Sequence, residues 1–315
     1  MLRFLKTYAL PVAMAVGCSL YLLFAYTPAL VPAGEVMEPI IGTFFPCCIF
    51  LILFFTFVRL DYHQLRLTRW HLVMLLCAVG VTGALTGALL LFTPAHSDSR
   101  LIIEAIITIT IAPCASAAPV ITTKLGGSLA HSTTYTLLSA LTATVCIPAI
   151  FPILEGNHDV AFWTAFLYVL QRTASVLLLP LVAGYLMQHL CPPFCRWICT
   201  HPNLSFYSWC VALSIVSGVT LRNILHAGAS AHLLTIIALL SLVTSIVLFG
   251  IGRGIGYHYG EPICCGQAMF QKNAAMAIWV AVTYLNPAAS IGAGCYILWQ
   301  NIINSIELAL NKNDR

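Results

Sequence analysis

Gln267, Gln271, Lys272 and Asn273 stand close together in GQAMFQKNAAMAIWVAVTY, residues 266–284, a stretch otherwise apolar enough to lie in a membrane. In that setting amides and an ammonium can donate to the carbonyls of an interrupted helix, ligate a small cation through amide oxygens, or hold an anion by charge. Polar side chains inside hydrocarbon are expensive, so they turn to a cavity or a buried partner. A polar helix end at the membrane interface is the competing reading. A second stretch, ITITIAPCASAAPVITTKLGG at residues 107–127, carries matching chemistry. Pro113 and Pro119 each remove a backbone donor and clash with the preceding turn. The small residues between them let another helix approach closely. A break there frees carbonyls on one half-helix and amides on the other, ends that favour cations and anions respectively. Pro119, Thr122 and Thr123 therefore join the candidates. A plain proline kink, with each Thr back-bonded to its own helix, explains the same residues without a ligand.

The elements that must position these groups are membrane helices. The chain has 315 residues, 60% hydrophobic and only 8% charged, against about 25% charged in a soluble domain. Long apolar runs without strand alternation make it an all-α polytopic membrane protein rather than a barrel. Hydropathy and breakers place about ten spans, near 7–27, 36–58, 69–93, 101–124, 129–153, 161–190, 204–224, 231–255, 263–285 and 288–311. The basic residues Arg3 and Lys6 precede the first run, which is longer than a signal-peptide core and reads as a retained helix. The 13 cysteines are scattered through apolar runs and behave as small hydrophobes, not as a disulfide framework. The cluster HLCPPFCRWICTH lacks zinc spacing and reads as interface packing.

Arg3, Lys6, Arg59, Arg66, Arg69, Lys124, Arg196, Arg253, Lys312 and Arg315 fall on one side of this arrangement, and Arg100 and Arg222 on the other. The positive-inside rule then puts both termini in the cytoplasm of a multi-pass protein of the cell membrane. Ten spans divide into two halves of five, residues 1–155 and 156–315, and an odd-numbered half must insert in the opposite sense from its copy. Any internal repeat is therefore inverted. The polar, broken spans four and nine occupy matching positions in the two halves, which is the pattern of a transporter site.

The pieces APxxSxAPVITTKLGGSLAHSTTYTLLSALTATVCIPAIFPIL, QKNAAMAI, YLNP and YILWQNIINS resemble the bile acid:sodium symporter family, in order and over most of the chain. The resemblance implies two inverted five-helix repeats, with discontinuous helices four and nine crossing at mid-membrane in a core bundle beside a panel. It also implies small organic anions as substrates, usually with sodium. Residue by residue, the family's Ser and Asn at the first break correspond to Ala118 and Pro119 here. Its span-five ligands match Ser132 and Thr136. At the second break Asn273 matches the family Asn, with Lys272 in place of its Gln and Ala268 in place of its Glu; a shifted register pairs Gln271 with that Gln. A hard cation needs several oxygens, with a carboxylate where the site is strong, so no confident metal site remains.

Ser132, Thr136, Gln271, Lys272 and Asn273 are thus the expected ion and substrate residues. Lys272 has three readings: an ammonium in the place of a missing sodium, with desolvation making it a proton-coupling group; a fixed structural cation; or a side chain that snorkels to the interface. Arg172 either clamps a carboxylate or sulfate or pairs with Glu104 or Glu307. Asn301, with Asn304, reads first as helix–helix glue. The expected partners are a small organic anion, the bilayer, and Na+ or H+ as coupling ion, with no cofactor. Neither G-x-S-x-G nor H-E-x-x-H occurs, so no enzyme is expected, and nothing points to nucleic acid. The alternative function is a non-transporting sensor or binding protein on a transporter scaffold.

Overall fold

The computed structural model describes residues 8–94, 97–155, 178–226, 230–285 and 287–313, together with 163, 164, 167, 170, 171 and 175. Helices follow the hydropathy runs: α1 (Ala9–Tyr26), α2 (Val31–Phe57), α3 (Arg69–Phe92), α4 (Asp98–Ile111), α5 (Ala118–Lys124), α6 (Leu129–Glu155), α7 (Leu179–Leu190), α8 (Pro192–Thr200), α9 (Leu204–Leu225), α10 (Ala231–Tyr259), α11 (Pro262–Phe270), α12 (Ala274–Tyr284) and α13 (Ser290–Asn313). The fold is all-α. Helices α1, α3, α6, α9 and α10 are each long and apolar enough to cross a membrane, and α2, bent by 43°, is a sixth candidate. The expected fourth and ninth spans are each split, into α4 with α5 and α11 with α12. Each half falls short of the roughly 20 residues that crossing requires. Of the expected sixth span, α7 lies within the described residues. Arg172, Arg3, Lys6 and Arg315 lie outside them. Helix α8, which hydropathy does not reveal, starts with Pro192 in its first turn, where a missing N–H does no harm. It buries Cys195 and Ile198 and exposes Phe194 and Trp197.

The chain forms two compact units, each assembled from both halves of the sequence. The first comprises Met1–Tyr62, Val176–His226 and Asn301–Arg315. In it α1 lies directly against α9: a Cβ on Gly17 would sit 1.8 Å from the Ser214 carbonyl oxygen, so only glycine permits this approach. The exit of α2 is tied down by side chains. Gln188 donates to the Val58 and Leu60 carbonyls at 2.8 and 2.9 Å, Tyr62 donates to Leu181 O at 2.9 Å, and Arg59 donates to Pro202 O at 2.8 Å. The two Gln188 bonds satisfy carbonyls at the exit of α2 that the helix end leaves open.

The second unit comprises His63–Ser175 and Ala227–Gln300. Its core gathers Trp70, Met74, Ile109, Tyr135, Leu248, Met269 and Tyr296 from α3, α4, α6, α10, α11 and α13. Gly260, at φ 72°, closes α10 in the left-handed conformation, and the chain turns through Glu261 into Pro262 and α11. Both broken helices belong to this unit, and so does the site they build.

Candidate functional site

Helix α4 stops where its sequence requires it to. Pro113 has no N–H and forces the preceding residue out of helical geometry, and Ala112 is extended at φ −57°, ψ 138°. The chain re-enters a helix at α5 with Pro119 in the first turn. The second break contains no proline. Here Gln271 is extended at φ −74°, ψ 110°, and the Asn273 side chain caps α12 by accepting from Met276 N at 3.1 Å. What stops α11 is the pairing of one gap with the other.

Cys114 and Lys272 form an isolated antiparallel bridge. Ala115 N donates to Gln271 O at 3.0 Å, and Asn273 N donates to Pro113 O at 2.9 Å. The remaining backbone groups find side chains. Cys114 N donates to Ser139 Oγ at 3.0 Å, Lys272 N donates to Gln300 Oε1 at 3.1 Å, and the Tyr296 hydroxyl donates to Phe270 O. Unpaired amides and carbonyls in hydrocarbon cost several kcal/mol each, so this near-complete pairing is what allows both helices to break.

The Lys272 ammonium completes it. Its Nζ donates to Thr110 O at 3.0 Å and to Ala112 O at 3.2 Å, and the residue is only 5% exposed. These carbonyls end α4, the negative pole of its dipole, so the cation sits where the field favours it. The freed carbonyls it meets belong to the first break. Its burial excludes a snorkelling role.

The other expected residues divide. Ser132 and Thr136 are buried on the face of α6 turned to the first break: the Ser132 and Thr122 hydroxyl oxygens lie 3.3 Å apart, and Thr136 Oγ1 lies 3.6 Å from Cys114 Sγ. Gln271 donates from its side chain to Gln267 Oε1 at 2.7 Å. Thr123 back-bonds to Pro119 O at 2.7 Å, the structural role open to any Thr in a helix. Asn301 is buried on α13, on the first unit's side of the division. Glu104 pairs with Arg100 at 2.9 Å, one of the partners the sequence did not bring forward. Glu261 pairs with His131 at 2.9 Å. Both acids nearest the breaks in sequence are therefore engaged elsewhere.

Three supports lay outside the expected set. Ser139 completes an i, i+4, i+7 stripe with Ser132 and Thr136, and that period was a readable signal. Gln300 arrives from a distant helix, and no local pattern marks it. The third support is a relay at the ends of α3, α6 and α11. Thr68 N donates to His71 Nδ1 at 3.0 Å, so the other ring nitrogen carries hydrogen and donates to His131 O at 3.1 Å. The His131 ring in turn meets Glu261.

Two interrupted helices joined gap to gap, inside a bundle of apolar helices, are the arrangement in which membrane transporters build their sites. The comparison with known families agrees. The chain belongs to the SBF-like CPA transporter family, whose model matches residues 13–308. It is a multi-pass membrane transporter of the bile acid:sodium symporter kind. Among curated proteins no match was found.

Proposed function

We propose that the protein is a secondary transporter of small organic anions in which the Lys272 ammonium stands in the place of a resident sodium ion and couples transport to protons. The observation that carries this reading is the pair of bonds from Nζ to Thr110 O and Ala112 O. A cation already occupies carbonyls that a bound ion would use, and the Asn and Glu that would complete a sodium shell are replaced by Pro119 and Ala268. In this reading residues 1–155 and 156–315 are inverted repeats, both termini face the cytoplasm, and the crossing is exposed to each side in turn. The correspondence of split helices at positions four and nine supports the repeat.

The test is uptake of a labelled organic-anion panel into proteoliposomes, with sodium and pH gradients imposed separately. Uptake driven by a proton gradient and lost in Lys272→Gln is the expected result. Sodium-driven uptake sinks the assignment to Lys272. If folded protein takes up no anion under either gradient, the sensor reading displaces transport.

A further inference from the structure

Beside the crossing, α3, α4 and α6 leave a half-open cavity of about 30 Å³ whose lining includes Thr82, Thr110, Cys114, Ser139, Thr142 and Lys272. A water needs roughly 10–15 Å³ measured in this way, so one or two fit. The hydrogen-bonding inventory identifies the occupant. Each threonine and serine hydroxyl of the lining already spends its hydrogen on its own helix: Thr82 on Ala78 O at 2.9 Å, Thr110 on Ile107 O at 3.1 Å, Ser139 on Thr136 O at 3.0 Å, and Thr142 on Leu138 O at 3.0 Å. Thr82, Thr110 and Thr142 therefore offer lone pairs, whereas Ser139 already accepts from Cys114 N. Lys272 offers the opposite. Two of its three ammonium hydrogens go to Thr110 O and Ala112 O, and its side chain lines the cavity. Threonine lone pairs facing an ammonium donor suit water, which accepts from the amine and donates to the hydroxyls.

We infer that this cavity holds water that hydrogen-bonds Lys272 and forms the last step of the proton's path to and from the amine. The step is a simple transfer: R–NH3+ and H2O give R–NH2 and H3O+, with the N–H bond broken and an O–H bond formed. Among the described residues, the titratable groups that face Lys272 or share its cavity are the thiols of Cys77 on α3 and Cys114 in the first gap, with Tyr135 and Cys146 of α6 on the cavity wall. No carboxylate is among them, so water is the acceptor at hand. The inference rests on the proton-coupling reading above, but its first test does not.

Hydroxyl-radical footprinting of the full-length protein in lipid nanodiscs, with radicals formed in situ by radiolysis of water and read by peptide mass spectrometry, reports buried water directly. Cys114, on the cavity wall, is expected to oxidise several-fold faster than Cys265, which is buried in the same unit away from the cavity. Equal rates overturn the inference. Thr82→Val with Thr142→Val removes two acceptors at nearly constant volume. This pair is expected to lower both Cys114 oxidation and proton-driven uptake several-fold, while unchanged oxidation and uptake overturn it. A wild type that is footprinted at Cys114 but shows no proton-driven uptake overturns the coupling role and leaves the hydration standing, so the two failures are distinguishable.

Discussion

Replacing Lys272 is the perturbation that bears most directly on the site, and the choice of readout follows from magnitudes. Lys272→Gln shortens the side chain by one atom and removes the charge. Its amide falls short of Thr110 O and Ala112 O, leaving two buried acceptors unpaired at about 1–3 kcal/mol each, so about 2–6 kcal/mol in sum. The same change recovers the desolvation of a buried ammonium, which is several kcal/mol. The two terms nearly offset, so absolute stability is a poor measure and ion dependence a sharp one. With the ammonium gone, the carbonyls at the negative end of α4 are open to a cation, and the new amide adds an oxygen. Sodium at ten times its dissociation constant then stabilises the variant by about 1.4 kcal/mol. In the wild type Nζ holds those oxygens, and sodium is expected to add nothing. Thermal unfolding in detergent, in NaCl against choline chloride at equal ionic strength, makes the comparison. A wild type stabilised by sodium as much as the variant would refute the reasoning.

Three further outcomes are expected. Gln300→Leu leaves the Lys272 N–H, which now donates at 3.1 Å, without an acceptor and lowers stability by about 1–3 kcal/mol; Gln300→Glu keeps an acceptor and restores most of it in the same unfolding assay. Gly17→Ala places a Cβ 1.8 Å from Ser214 O and costs about 1–3 kcal/mol or more through overpacking, whereas Gly80→Ala in α3, with nothing within 4 Å of its Cβ, gains about 0.5–1 kcal/mol of helix propensity. Burial raises the Tyr62 phenol to about 12 from its ordinary 10.0. The folded state therefore holds that proton more tightly than the unfolded one, and stability is unaffected below about pH 10 and falls as pH rises toward 12. Tyr62→Phe is expected to remove that alkaline component from the pH–stability profile.

The helices were legible because crossing a bilayer needs long apolar runs, and those runs are local. The first break was legible for the same reason, since Pro113 acts on the residues beside it. The second break was visible only as polarity. Nothing in QKN by itself ends a helix, and α11 stops there because Ala115 and Pro113, more than 150 positions earlier, take its backbone bonds. That pairing is a tertiary fact and has no local signature. Lys272 was singled out by chemistry, yet its partners could not be. Backbone carbonyls are present at every position, and only the fold selects Thr110 and Ala112. Glu104 entered only as a partner for Arg172, whereas it pairs with Arg100 one helical turn before it. The i, i+4 partner Arg100 was the stronger local cue.

A cation bonded to the chain changes what kind of transport the crossing can perform. A sodium ion yields energy by binding on one side and dissociating on the other. The ammonium of Lys272 cannot dissociate, so under the proposed function the sodium gradient is expected to have no purchase on this position. What can leave is a proton. If the proposed transporter kept the Lys272 proton through the whole cycle and had no other coupled ion, it would carry an anion only down the anion's own electrochemical gradient. If the proton is exchanged at the crossing, the pH gradient drives uptake. The two cases separate in one experiment. Counterflow of labelled anion against unlabelled anion proceeds in both, while accumulation above equilibrium under an imposed pH gradient occurs only with exchange. The water-sized cavity against Lys272 favours exchange, because an amine sealed from water has no route by which to lose its proton.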